Sequence, residues 1–361
     1  MQELFNTRRG AIHLPAFLPD ATFGQVRGLD ASDLAACGIE AVMMNAYHLM
    51  QKPGSGVISA GGGLHAFTGW QNPIFSDSGG FQAYSLIRQN RKFGSFSDDG
   101  IVVRLEGSDK KIHLTPEKSI QTQFKLGADV LFCLDDCTHP QDAIAEQEIS
   151  VQRTIRWAKR CKEEHQRLVK NAEIPQDNQP KLFAIVQGGN AHDLRKDCAQ
   201  ALLEIGFDGY GFGGWPIDKE GQLVDDALAY VRELIPEDYP LHALGIGQPY
   251  NIQRCFALGY SLFDCAMPTR DARHGRLYRW RAGRGVMEDQ WCEYVSIAKE
   301  QNVRNQEAIG SDCDCLTCKT YSLSYLHHLY TTGESLYFRL ATIHNLHFMS
   351  QLMQTLQMRD T

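Results

Sequence analysis

Eight short apolar runs recur along the chain, each ending in a polar or glycine-rich tip. They are His13–Asp20, Ile39–His48, Pro73–Gly80, Ala128–Asp136, Lys181–Gly189, Gly209–Gly214, Leu241–Gly247 and Ser261–Pro268. Near-continuous apolar runs of this length predict strands buried on both faces, as in a parallel sheet. Helical patterns separate most of them: Asp30–Cys37, a helix capped by Thr115 with Pro116 at its first position, Asp142–Leu168, Asp193–Ile205, Val224–Leu234 and Ile252–Leu258. Strand–helix alternation with eight strands predicts an α/β fold, a (β/α)8 TIM barrel. The rival, an open doubly wound sheet, lacks its GxGxxG after the first strand. Lys92–His113 alternates and turns, and predicts a hairpin inserted after the third strand. In a barrel the polar tips share the C-terminal mouth, where active sites lie. Asn45, Asp77, Asp135, Gln187, Gly214 and Asp264 are therefore expected to converge there.

Composition narrows the picture. A chain of 361 residues with 43% hydrophobic content can fill one large barrel and an appendage. No run approaches the roughly 18 apolar residues of a membrane span. The start, MQELFNTRRG, lacks the apolar core of a signal peptide. A cytoplasmic protein with no membrane partner is expected. The net charge of −7 excludes a general polycation, so any nucleic-acid contact must be a local patch.

One such patch exists. Asp264 ends the last apolar run, and Arg270, Arg273, Arg276, Arg279, Arg281 and Arg284 follow it. A carboxylate at a strand end can act as nucleophile or general base. Guanidinium groups behind it fit phosphate bidentately, which suggests chemistry on a nucleic acid. A turn-capping acid before a solvated basic loop is the plainer alternative.

Eight of the eleven cysteines are scattered (Cys37, Cys133, Cys137, Cys161, Cys198, Cys255, Cys265 and Cys292) and are expected to be small buried apolar residues. The other three, Cys313, Cys315 and Cys318, fall within six residues. Thiolates at this spacing suit a tetrahedral zinc lacking one ligand, with His327, His328, His344 and His347 as available donors. Closed sites of three thiolates and a histidine are usually structural, so one zinc with a folding role is expected.

Several motifs coincide with one family. SDSGGFQ (76–82), LDDCT (134–138), VQGG (186–189), EIGFDGYGFGG (204–214), FDCAMPTRDARHG (263–275) and CDCLTC followed by His344 stand in that family's order. The chain resembles the tRNA-guanine transglycosylases, or queuine tRNA-ribosyltransferases, of the catalytic-subunit type. The resemblance implies a barrel with a zinc subdomain inserted after the eighth strand. It implies a pentosyltransferase of queuosine tRNA modification. Such an enzyme exchanges guanine at the wobble position of a tRNA with a G-U-containing anticodon for a 7-deazaguanine base, preQ1 or queuine. Carried over by motif, Asp264 is the nucleophile and Asp77 the general acid/base. Asp135, Gln187, Gly214, Ser78 and Gln82 contact the base, and Phe81 sandwiches it. Arg270 and Arg273 bind tRNA, while Cys313, Cys315, Cys318 and His344 hold zinc. The resemblance also implies a homodimer through surfaces near the zinc subdomain.

These readings set further expectations. The barrel is expected over 1–285 and the zinc subdomain over 286–345. A C-terminal helix over 346–361 would close on the barrel. After Gly214 the chain reads WPIDKEGQ, longer than the usual family segment by about one residue, with Trp215 in place of a small aliphatic. Trp215 is expected to line the pocket for the base's side arm. Base exchange on DNA and a non-catalytic tRNA-binding subunit are the alternatives. Retention of both Asp77 and Asp264 speaks against the second.

Overall fold

The computed structural model describes residues 2–104, 111–281, 285–286, 288 and 290–358. Its centre is an eight-stranded parallel sheet: β1 (Ala16–Pro19), β2 (Val42–Met44), β3 (Ile74–Ser76), β4 (Val130–Phe132), β5 (Lys181–Val186), β6 (Gly209–Phe212), β7 (Leu241–Ala243) and β8 (Leu262–Cys265). Neighbours pair in the order β1-β8-β7-β6-β5-β4-β3-β2. A parallel bridge between Asp20 and Met43 closes the circle. The expected (β/α)8 barrel is the observed fold. Among the described residues no helix is long and apolar enough to cross a membrane.

Alternation along each strand builds two cores. Leu18, Phe75, Val130, Phe132, Phe183, Ile185 and Leu262 point into the barrel. Their neighbours Phe17, Ile74, Leu131, Leu182, Ala184 and Phe263 join the core beneath the surrounding helices. This is the period-two geometry of a strand buried on both faces. Phe5 fills the barrel floor, its ring edge-on to Phe183 at 5.5 Å.

The run 13–20 divides differently from expectation. Leu4–Thr7 and Gly10–His13 form an antiparallel hairpin beneath the barrel, and only Ala16–Pro19 joins the barrel sheet. Here backbone pairing, invisible to an apolar pattern, decides. The insertion after β3 is also larger than a hairpin. Gly94–Ser97, Gly100–Arg104 and Lys111–Leu114 form a three-stranded antiparallel sheet.

After β8 comes a helix, Met267–Arg273, then an antiparallel pair, Arg276–Trp280 with Cys292–Ser296. A long helix, Ser335–Gln357, packs against β1 and against helix Met267–Arg273. The expected boundary between 345 and 346 falls inside this helix. The cysteine cluster shares the main core with the barrel helices through Cys315 and Ile343. Seven of the eight scattered cysteines are buried, as expected, and Cys265 at the tip of β8 is half-buried.

Candidate active site

The strand tips bring the expected residues to one mouth, and bring others with them. Asp264 ends β8. Its Oδ1 accepts from His242 Nε2 at 2.9 Å and from the Gly245 amide at 3.1 Å. His242 projects from β7 into the barrel between Phe75 and Phe132, ring centroids 6.3 and 5.6 Å away. Both hydrogen bonds fall on Oδ1. They set the carboxylate's rotation through that one oxygen.

Asp77 follows β3, with its amide bonded to the Met44 carbonyl at 3.1 Å. Its Oδ1 accepts from the Ala46 amide at 2.9 Å, and its Oδ2 from Asn45 Nδ2 at 2.6 Å and Gln82 Nε2 at 3.1 Å. Burial outweighs these bonds and pushes the Asp77 carboxyl up to about 7. Gln82, expected at the base, here supports the acid. Ser78 is buried, its hydroxyl accepting from Gly80 N–H at 3.2 Å and its carbonyl accepting from Ser119 at 2.8 Å.

Across the mouth, Asp135 follows β4. Burial pushes it up to about 6, and the bond from Gln187 Nε2 at 2.7 Å opposes that rise. Gln187 lies across the tip of β6. A Cβ at Gly213 would come within 2.6 Å of its Nε2, so only glycine leaves it room. Gly214 continues with φ of +94°, a backbone reserved for glycine. Beneath them lies Arg195, 1% exposed. Its guanidinium donates to the carbonyls of Gly189, Val186 and Gly213 and stacks over Phe212. Burial pulls it down to about 10. Asp136 is turned away and paired with Arg153.

Phe81 and Trp215 stand at the rim, 47% and 37% exposed. Their centroids are 5.9 Å apart, and His139 lies 5.6 Å from Trp215. The Trp215 side chain also bonds Tyr84. Trp215 is thus at the mouth, held by aromatic neighbours.

The arginine segment divides. Arg270 is exposed on the helix after β8. Arg273 is half-buried, and its Nη1 has no hydrogen-bond partner among the described residues. Arg276 pairs with Asp271 at 3.7 Å, Arg279 with Glu293 at 2.7 Å and Arg281 with Glu293 at 3.8 Å. A uniform polyanion patch is therefore not what folding makes of the segment. Acids on the facing strand and helix take three of its charges, and Arg284 lies outside the described residues.

The cysteines and His344 meet as a candidate metal-binding group, their ligand atoms all within 4.8 Å of one another. His344 Nδ1 lies 3.7, 3.6 and 3.3 Å from the sulfurs of Cys313, Cys315 and Cys318. Zinc–ligand bonds of ordinary length at a tetrahedral angle give a sulfur–nitrogen edge of about 3.6 Å, so the donors fit that ion. His344 Nε2 donates to the Tyr278 carbonyl at 2.6 Å, which fixes the tautomer with Nδ1 free to ligate. Of the other histidine candidates, His327 bonds the Ile297 carbonyl and His347 bonds Asp314, and His328 is not part of the group. Next to His344, Asn345 bonds the carbonyls of Pro268 and Arg276, both at 3.0 Å. The cluster is thereby tied to the helix that follows Asp264.

Sequence reasoning missed His242, Arg195 and Asp20. Each was readable as a polar residue within or beside an apolar segment. Nothing in the sequence said which way it pointed.

The queuine tRNA-ribosyltransferase family model matches residues 3–359. Proteins named queuine tRNA-ribosyltransferase are similar to this chain. That of Psychrobacter sp. (strain PRwf-1) is 37% identical over 96% of this chain and 85% of the relative. Those of Shewanella frigidimarina (strain NCIMB 400) and Marinobacter nauticus (strain ATCC 700491 / DSM 11845 / VT8) are both 38% identical, each over 97% of this chain and 87% of the relative. With barrel, acids and cysteine cluster in that family's order, the chain belongs to the queuine tRNA-ribosyltransferase family.

Proposed function

We propose that the protein is a tRNA-guanine transglycosylase that replaces guanine at the wobble position of a G-U-containing anticodon with a 7-deazaguanine base. The observation that carries this reading is the unequal state of two acids across one mouth. Asp264 is fixed through one oxygen, whereas Asp77 is buried among neutral donors and pushed up to about 7. One is suited to attack and the other to proton transfer, the division of labour that glycosidic bond cleavage uses.

Asp264 Oδ2 attacks ribose C1′. The C1′–N9 bond breaks, its electron pair stays with guanine, and Asp77 supplies the proton. An ester joins Asp264 to the tRNA. Guanine leaves, the new base enters, Asp77 takes its proton, and the base attacks C1′ and releases Asp264. Two displacements retain configuration. Asp135 accepts from the N1–H and exocyclic amine of the base. Gln187, with one amide hydrogen on Asp135, has its second for the base carbonyl, and the Gly214 amide supplies another donor. Phe81 stacks on the base. The target nucleotide must leave its stack to enter, and Arg270 and Arg273 meet the phosphates around it. Cys313, Cys315, Cys318 and His344 would hold one zinc, which would hold fold rather than chemistry: three thiolates leave a metal a poor Lewis acid. The reading places the enzyme in the cytoplasm with its tRNA.

The test is exchange of labelled guanine into a G-U-anticodon transcript, with capture of the protein–RNA ester on a denaturing gel. Exchange and adduct are expected with the tRNA. Exchange into a DNA of the same sequence but not into RNA would replace this reading.

A further inference from the structure

We propose that Asp20 is a third acid of the exchange site, a positioning residue that keeps the proton on Asp77 while the charge resides on Asp264. The proposal rests on the roles given to those two acids above. Strand order carries it. The register of β8 on β1 sets Asp264 opposite Leu18, two residues before Asp20. On its other side Asp20 bridges Met43, and the next amide, that of Ala21, donates to the Met43 carbonyl at 2.7 Å. Two residues past Met43 stands Asn45, whose amide holds Asp77. Asp20 therefore occupies the seam that closes the barrel, on the strand between the nucleophile's strand and the one that anchors the acid. Its side chain is held too, because Thr22 Oγ1 lies 2.6 and 2.8 Å from its two oxygens.

Charge makes this position consequential. Among the described residues no cation stands within ion-pair distance of Asp20. Arg27 and Arg273 face it from farther off, and Asp264 faces it with like charge. Among the described residues the groups that bond Asp77 are neutral: the amides of Ala46 and Gly79, and the side chains of Asn45 and Gln82. Asp264 is held by His242 and the Gly245 amide. Burial pushes both Asp20 and Asp77 up; to that the charge of Asp264 adds a smaller push on Asp20, and the charge of Asp20 a smaller push on Asp77. In the first displacement Asp264 loses its charge to the ester, and Asp77 gains one by giving up its proton. The total is unchanged. Charge leaves one neighbour of Asp20 and arrives at the other.

The test is the pH profile of single-turnover adduct formation by the full-length protein. The parent is expected to lose rate on the alkaline side as Asp77 loses its proton. Asp20→Asn should move that limb to lower pH by roughly half a unit or more, since a like charge has gone. Asp20→Glu should move it back, and Asp20→Ser repeats the shift if the Asn variant does not fold. Asp77→Asn should abolish the limb. If the limb survives in Asp77→Asn, the role of Asp77 itself falls. If it vanishes there yet stays in place in Asp20→Asn and Asp20→Ser, the proposal for Asp20 alone is overturned. The same holds if those variants lose only tRNA binding, because Asp20 would then serve Arg273.

Discussion

The mouth of this barrel has two halves that treat charge in opposite ways. On β7, β8 and β1 to β3 stand three carboxylates, Asp264, Asp20 and Asp77. Thr22, Asn45, Gln82, His242 and backbone amides bond them, with no arginine or lysine among these partners. On β4 to β6 stand Asp135, Gln187 and the paired glycines, above the buried cation Arg195. A carboxylate without a cation is easily protonated when buried, and that suits a group that must pass a proton back and forth. A guanidinium that spends its donors on three strand-tip carbonyls makes backbone rigid, which suits reading the shape of a base. Asp77, at about 7, is poised to donate near neutrality, while Asp135, at about 6, is mostly an anion and can only accept.

Removing the metal should break the comparison most completely. The acid half is stitched to the cysteine cluster through Asn345 and the carbonyls of Pro268 and Arg276. Such sites supply on the order of 10 kcal/mol of apparent binding energy in small zinc modules. Cys315→Ser is expected to lose zinc by elemental analysis, unfold the C-terminal part and abolish exchange. A zinc-free protein that stays folded and active contradicts the structural role.

Asp264→Asn comes next. It nearly keeps shape, so tRNA should still bind, while exchange falls by several orders of magnitude, about 5 kcal/mol or more. The denaturation-resistant adduct should disappear. An adduct that persists would place the nucleophile elsewhere.

Asp77→Asn should lower turnover by roughly 10²- to 10⁴-fold with little change in tRNA affinity. In the parent, guanine release should decline above about pH 7, where Asp77 ionises, and base affinity should decline below about pH 6, where Asp135 takes a proton. The folded-state Asp77 lies above its ordinary 3.8, so the native protein holds an extra proton between there and about 7. Stability from this group should therefore fall as pH rises through that window. Measured by denaturant titration, a rise instead would contradict the burial of Asp77.

Arg195→Met tests the other half. It leaves the carbonyls of Gly189 and Gly213 without that donor, at a cost of about 1–3 kcal/mol for each buried group left unsatisfied, while the Val186 carbonyl keeps the Gly213 amide at 2.9 Å. Base KM should rise well before tRNA affinity changes. Equal loss of both would mean that the halves are not separable.

Trp215→Leu should have the smallest effect. The indole sits at the rim beside Phe81, and no reacting group is lost. Relative kcat/KM among guanine, preQ1 and queuine should change, with guanine exchange itself within about tenfold of the parent. Unchanged ratios would put Trp215 outside the base's path.

Much of this was legible in the chain. Eight apolar runs name a barrel because a parallel strand is covered on both faces and must be apolar throughout. Polar residues that end such runs must lie at one mouth, so Asp77, Asp135, Gln187 and Asp264 could be placed together without coordinates. Three thiols within six residues suit a metal wherever the fold puts them. Tertiary structure alone decided the rest. An apolar pattern carries no register, so the run 13–20 could not reveal that its first residue ends a floor hairpin and its last closes the barrel. A charge carries no partner, so six arginines read alike until Glu293 and Asp271 claimed three of them. His242, Asp20 and Arg195 acquire their roles from the neighbours that folding gathers around them, because hydrogen bonding and burial act through space and not along the chain.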